Sequence, residues 1–186
     1  EGIVQGVGFR PFIYGLAIQS CYSGYVLNDV EGVLLEIQGQ DIDIENFCQC
    51  IKTKAPKASY ITNISYHEID VICDDKEFII QKSPQGLTKE TLISPDLAIC
   101  EDCKREIKDK NNRRYQYAFT NCTNCGPRFS IVQDIPYDRQ NTTMKVFPMC
   151  KKCEDEYTNP LDRRFHAQPN ACDICGPQYK LVADKV

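Results

Sequence analysis

The sequence has no apolar run approaching the roughly 20 residues needed to cross a bilayer, which excludes a transmembrane helix. Positive charge is not in excess: 22 basic and 26 acidic side chains give a formal net charge of −4. Strong binding to a nucleic-acid backbone needs a basic face, and no stripe of mixed basic and aromatic residues stands out. Histidine is scarce, with His67 and His166 alone, and His166 reads as a local contact rather than a ligand. Neither a secretory signal nor a nucleotide-binding pattern is visible. Folded structure is nonetheless indicated by a hydrophobic content of 42% and ten tyrosines, and 186 residues suffice for one or two domains.

Cysteine is abundant. Of twelve, eight form four C-x-x-C pairs: Cys100/Cys103, Cys122/Cys125, Cys150/Cys153 and Cys172/Cys175. An even count also permits a disulfide scaffold. Disulfide-dense domains are usually short and secreted, however, whereas paired C-x-x-C knuckles match tetrahedral metal geometry, so the expectation is metal in a reducing, cytoplasmic setting. The pairs belong to an internal repeat, in which Cys100-x2-Cys103-x18-Cys122-x2-Cys125 recurs 50 residues later. "RRYQYAFTNCTNCGP" (113–127) matches "RRFHAQPNACDICGP" (163–177), so the duplication extends beyond cysteine. Each repeat offers four thiolates, enough to close a structural zinc site; iron also suits them, and spacing leaves sequential and interleaved pairing open. Two Zn²⁺ ions are expected. Cys21, Cys48, Cys50 and Cys73 read as core or incidental thiols.

Composition shifts near residue 83. Residues 1–82 carry six basic and twelve acidic side chains, a net of −6, against sixteen and fourteen, a net of +2, in 83–186. Eight thiolates and two zinc ions would turn that +2 into about −2. The basic pairs Lys104/Arg105, Arg113/Arg114, Lys151/Lys152 and Arg163/Arg164 therefore do not make a nucleic-acid module, and no nucleic-acid partner is expected. "SPQGLTKETLISPD" (83–96) reads as a linker between a first unit (1–82) and a cysteine-rich unit (97–180).

The first unit has a βαββαβ rhythm. A strand over about 1–6 precedes a helix in "PFIYGLAIQSCY", where Pro11 suits the first turn. Two strands flank the turn "NDVEG", "DIDIENFCQCIKTKA" (41–55) is a second helix, and "SYITNISYHEI" and "KEFIIQK" supply the remaining strands. The expected fold is α+β, an antiparallel sheet with helices on one face, followed by a small tandem four-cysteine domain.

The stretch "IVQGVGFRPF" (3–12) has the parts of a phosphate cradle. Gly6 and Gly8 would let the backbone curl so that its amides converge, at a helix start where amides lack helical partners, and Arg10 would add a fixed cation. With "GYVLNDVEG" (24–32) following in order, residues 1–82 resemble the acylphosphatases, though the first strand is shorter than theirs. The resemblance implies a phosphate-binding loop of Gln5, Gly6, Val7, Gly8 and Phe9, with Arg10 gripping the phosphoryl group and Asn28 orienting the attacking water. With the tandem cysteine motif added, the chain resembles the N-terminal part of the HypF family of carbamoyltransferases, which mature [NiFe] hydrogenases. That likeness implies hydrolysis of carbamoyl phosphate to carbamate and phosphate. ATP-dependent carbamoyl transfer to a HypE-type acceptor would fall to further domains, the first of them YrdC-like and starting at 181–186. The alternative is a non-catalytic, zinc-stabilised module that senses acyl phosphates or docks a partner protein.

Overall fold

The computed structural model describes residues 1–29, 31–40, 42–71, 76–83, 92–180 and 182. Its first unit runs through strand β1 (Gly2–Ile3), helix α1 (Phe9–Gln19), strands β2 (Ser23–Asn28) and β3 (Val33–Gln38), helix α2 (Ile44–Lys54), and strands β4 (Tyr60–Ile61) and β5 (Phe78–Ile80). β2 and β3 pair antiparallel as a hairpin, from Ser23 opposite Gln38 to Asn28 opposite Val33. At the start of α2 the Asn46 amide donates to the Asp43 carboxylate at 2.9 Å, and Lys52 and Lys54 sit near its negative end. Both helices lay an apolar stripe on the sheet. Phe9, Ile13, Leu16 and Ala17 from α1 and Phe47 and Ile51 from α2 meet Val26 and Phe78 in one core. Each large apolar side chain so buried contributes about 1.5–3 kcal/mol.

Three expectations change. The sheet is neither continuous nor purely antiparallel: β1 pairs with β4, while β3, β2 and β5 form a second sheet in which β5 lies parallel to β2. A parallel neighbour needs a long connection rather than a hairpin, and the path to β5 carries both α2 and β4. The first strand shrinks from the expected 1–6 to two residues, because a tight turn brings the Val4 amide onto the Gly2 carbonyl and Gly6 and Gly8 then take φ of 71° and 77°. Residues 62–71 carry no strand, and α1 begins at Phe9, so that Pro11 lies within its first turn.

The second unit is built differently. Helices α3 (Glu101–Lys108) and α4 (Lys151–Thr158) occupy equivalent positions in the two repeats, each with a cysteine at its N-cap. Short turns make up most of the rest, and one buried apolar cluster holds Tyr117, Met144 and Ala171. Both described ends of the linker are tied down: Ser83 and Ser94 are buried, and Ile93 bridges Gln5 in parallel. Residues 84–91 of the linker, Cys73, and 181 and 183–186 lie outside the described residues. Cys21 is exposed, and Cys48 and Cys50 are half-buried on α2. Among the described residues no helix is long and apolar enough to cross a membrane.

Candidate functional site

Each repeat gathers its own four sulfurs: Cys100, Cys103, Cys122 and Cys125 form one cluster, Cys150, Cys153, Cys172 and Cys175 the other, with all sulfurs of a cluster within 4.8 Å of one another. This decides for sequential pairing. Sulfur separations are 3.6 Å for Cys100–Cys122, 3.8 Å for Cys122–Cys125, 3.8 Å for Cys172–Cys175 and 3.6 Å for Cys153–Cys175. Those lengths rule out a disulfide, which needs about 2.05 Å. They match the edge of a tetrahedron with metal–sulfur bonds of about 2.3 Å, which is about 3.8 Å. Backbone amides complete the knuckle, with Cys100 N–H reaching Cys125 Sγ at 3.4 Å and Cys103 N–H reaching Cys100 Sγ at 3.5 Å. Hydrogen bonds to Cys122 and Cys125 push the Cys103 thiol up, while the bond with Cys103 pulls Cys125 down. Four such crowded thiols ionise together only when a cation joins them.

Two of the basic pairs, Arg113/Arg114 and Arg163/Arg164, turn inward and cross between the repeats. Arg113 donates to Cys153 Sγ at 2.7 Å and to Glu156 at 2.9 Å, and Arg114, 1% exposed, reaches Glu156 Oε2 at 2.5 Å and the Ala171 carbonyl at 3.0 Å. The reverse set is equivalent. Arg163 donates to Cys103 Sγ at 2.9 Å and pairs with Glu106, and buried Arg164 pairs with Glu106 and reaches the Asn121 carbonyl at 3.1 Å. Each repeat thus supplies two guanidiniums to the sulfurs of the other, offsetting the negative charge of a tetrathiolate site. Burial alone would raise the Glu156 carboxyl, but the hydrogen bond and charge of Arg114, with the charge of Arg113, hold it down at about 2.

The glycine loop lies against this second unit. Gly6 has no room for a side chain: a Cβ there would come within 2.6 Å of Pro127 Cβ and 2.9 Å of the Tyr137 ring, and φ is positive besides. Gly8, the N-cap of α1, uses its left-handed φ to turn the chain so that the amides of the first helical turn face outward; a Cβ there would meet Thr123 at 3.1 Å. A small cleft, partly open to solvent, is bounded by Gly6, Gly8, Arg10, Asn28, Asn121 and Tyr137.

Arg10 and Asn28 do converge, and residues 137 and 138 hold both. Arg10, 7% exposed, places Nη2 2.8 Å from Asp138 Oδ1 and 3.5 Å from the Tyr137 carbonyl. Asn28, fully buried, donates from Nδ2 to that same carbonyl at 3.2 Å. A carbonyl only accepts, so the amide orientation of Asn28 is fixed and Oδ1 must point the other way. Asn28 Oδ1 is buried without a partner among the described residues, an acceptor suited to a water proton. Gln5 serves as a brace. Its Nε2 donates to the carbonyls of Asp29 and Gly32 at 2.6 and 2.7 Å, and its Oε1 accepts the Tyr137 amide at 2.8 Å. Its side chain thus ties the loop to the β2–β3 turn and to the second unit. Asp138 is steadied in turn by the Ser83 hydroxyl.

Val7 and Phe9, also expected in the phosphate loop, bury their side chains in the core, and Phe9 also borders the cleft. His166 lies on the cleft wall, edge-on to Phe165 at 4.6 Å, and burial, then the charge of Arg10, pulls it down to about 4. Sequence reasoning missed Tyr137 and Asp138. They sit between the two repeats in no motif, and no spacing marks them.

Residues 1–80 match the acylphosphatase family, and residues 99–132 and 149–182 each match the HypF finger. A probable carbamoyltransferase HypF of Methanocaldococcus jannaschii is 51% identical over 142 residues, covering 76% of this chain and 18% of that protein. The carbamoyltransferase HypF of Rhodobacter capsulatus is 48% identical over 150 residues, 80% of this chain and 20% of its own length. An acylphosphatase of Thermotoga maritima is 39% identical over 69 residues, 37% of this chain and 76% of its own. A crystal structure of full-length HypF in the phosphate- and nucleotide-bound form matches with a TM-score of 0.89 at 51% identity, over 100% of this chain and 24% of that one. The chain therefore spans about a fifth of the length of the curated HypF relatives. An acylphosphatase-type unit closed against two tetrathiolate fingers, matched along the whole chain at half identity, belongs to the HypF family.

Proposed function

We propose that this chain hydrolyses carbamoyl phosphate to carbamate and phosphate at the cleft between its two units. The observation that carries the reading is the meeting, at the glycine loop, of the Arg10 guanidinium and the unpartnered, orientation-locked Oδ1 of Asn28. The loop amides and Arg10 bind the phosphoryl oxygens and offset their charge. Nη2 is the only Arg10 nitrogen with a partner among the described residues, which leaves Nε and Nη1 for the substrate. Asn28 Oδ1 accepts a hydrogen bond from a water held in line with phosphorus. The water oxygen forms the new P–O bond, the bond to the carbamoyl oxygen breaks, carbamate leaves as its anion, and both water protons remain on the phosphate product. Carbamate is a good leaving group, so positioning and charge stabilisation suffice without a strong base.

The metal in each finger is assigned as zinc, closed by four thiolates with no open position, and its role is to hold the wall that presents Tyr137 and Asp138. In the full-length protein, ATP-dependent transfer of the carbamoyl group to a HypE-type acceptor is assigned to the four-fifths of the relatives' length that this chain does not span. Phosphate release from carbamoyl phosphate tests the hydrolytic step. Arg10→Ala and Asn28→Ala should each lower the rate by about 10²–10³. Wild-type turnover in either variant would remove the assigned roles, and binding of carbamoyl phosphate without release would favour a sensor.

A further inference from the structure

One side chain in the cleft has no structural work. Asn121 is 2% exposed, lines the cleft beside Arg10 and Asn28, and has no partner for either Nδ2 or Oδ1 among the described residues. A buried primary amide with both ends unsatisfied costs folding free energy and calls for a ligand. The internal duplication supplies a control. The equivalent position in the second repeat is Ala171, and the two backbones do the same work, since Arg164 Nε donates to the Asn121 carbonyl at 3.1 Å and Arg114 Nε to the Ala171 carbonyl at 3.0 Å. A finger of this kind therefore folds without an amide there. The amide is added only in the first repeat, whose Pro127 and Thr123 lie against Gly6 and Gly8.

We infer that Asn121 is a specificity-determining residue that reads the carbamoyl group of the substrate. This rests on the hydrolysis reading above. A carbamoyl group presents one acceptor, its carbonyl oxygen, and one donor, its N–H, on a single edge. The Asn121 amide presents the complement in either orientation, Nδ2–H to the carbonyl and Oδ1 to the N–H, which closes a ring of two hydrogen bonds. Acetyl phosphate, with a methyl in place of the amino group, satisfies the donor only and leaves Oδ1 buried and unpaired. The phosphoryl group is then held by the first unit and the carbamoyl group by the second, so discrimination arises across the interface.

The test is the ratio of kcat/KM for carbamoyl phosphate to that for acetyl phosphate, on the metal-loaded chain. The wild-type chain should favour carbamoyl phosphate by on the order of 10- to 100-fold, the range set by one buried group left unpaired. Asn121→Ala, the residue its own twin position carries, should bring that ratio close to one, chiefly by slowing carbamoyl phosphate. Asn121→Leu keeps the size, removes donor and acceptor together and should lower the ratio as well, which secures the test if one variant folds poorly. Damage to folding would slow both substrates alike and leave the ratio unmoved. An unchanged ratio in both variants overturns the inference, as does a wild-type chain that hydrolyses both substrates equally. If the wild-type chain hydrolyses neither substrate, the hydrolysis reading itself is at fault, an outcome distinct from lost discrimination.

Discussion

The acylphosphatase-like unit buries a continuous core of ten side chains drawn from both helices, strands β2 and β5 and the loop after β1, whereas the largest buried clusters of the finger unit hold three residues each, and one of these is cysteine alone. In place of a core the finger unit buries arginine: Arg114 and Arg164 are 1% and 3% exposed, each paired with a glutamate of the opposite repeat. The difference shows that two folding strategies are joined in one chain. A unit whose hydrophobic surface is spread over strands and helices can close on itself. A unit of short turns with little apolar content needs fixed cross-links, and here these are metal–thiolate clusters whose excess charge the crossed arginines offset. The candidate reaction site lies where the two kinds of structure meet.

That comparison breaks most visibly when metal is removed. Structural zinc contributes on the order of 10–16 kcal/mol to small zinc-binding peptides. Chelation should therefore unfold the finger unit while the β2–β3 hairpin and α1 persist. Residue-resolved hydrogen exchange reads this as lost protection along α3 and α4 with protection kept at Val26 and Ile13. Loss of protection in both units together would show that the first unit has no independent stability.

A smaller effect probes the crossed arginines. Arg114→Ala breaks a buried pair and should cost about 3–5 kcal/mol, and Arg164→Ala should come close to it, because its contacts are the mirror set apart from the bond of Arg114 to Asn170 Oδ1. Arg105→Ala removes an exposed i,i+3 pair with Asp102 and should cost under about 1 kcal/mol. Denaturant midpoints on the metal-loaded chain measure all three. Widely unequal costs at 114 and 164 would mean that the repeats are no longer energetic twins.

The smallest effect concerns acid. The folded chain holds His166 at about 4, against about 6.5 when unfolded, so between these values the unfolded chain binds more protons. Stability should fall as pH drops through that window, by at most about 1.4 kcal/mol per pH unit. His166→Gln should remove this slope. Glutamine is a sound choice, because Gln116 stands at the equivalent position and shares the left-handed backbone, φ 57° against 54°. The measurement is the difference between the two chains in thermal midpoint against pH; identical curves would place His166 in contact with water.

Much was legible in advance because it is local. A C-x-x-C pair fixes two sulfurs on one knuckle whatever surrounds it, and two such pairs per repeat define a tetrahedral set. The hairpin from Ser23 to Gln38 follows from alternation and its turn, and the start of α2 from Asp43. What failed depended on partners far away in sequence. The direction of β5 is set by which strand edge was free, and that edge is not encoded in the segment itself. Gln5 looked like part of the anion cradle, but its side chain braces Tyr137, 132 residues on.

The sequence alone determined the chemistry available: two four-cysteine modules, a glycine turn able to gather amides at a helix start, and an arginine and an asparagine in the two stretches that resemble the acylphosphatases. Spacing governs short-range geometry, so these need no further information. Only the tertiary structure decided where that chemistry sits, by packing the finger unit onto the loop so that Asp138 meets Arg10, the Tyr137 carbonyl turns Asn28, and Asn121 faces the cleft while Ala171 does not. Contacts across more than a hundred residues depend on which surfaces are complementary once folded, and complementarity is a property of packed shapes rather than of any one stretch of chain.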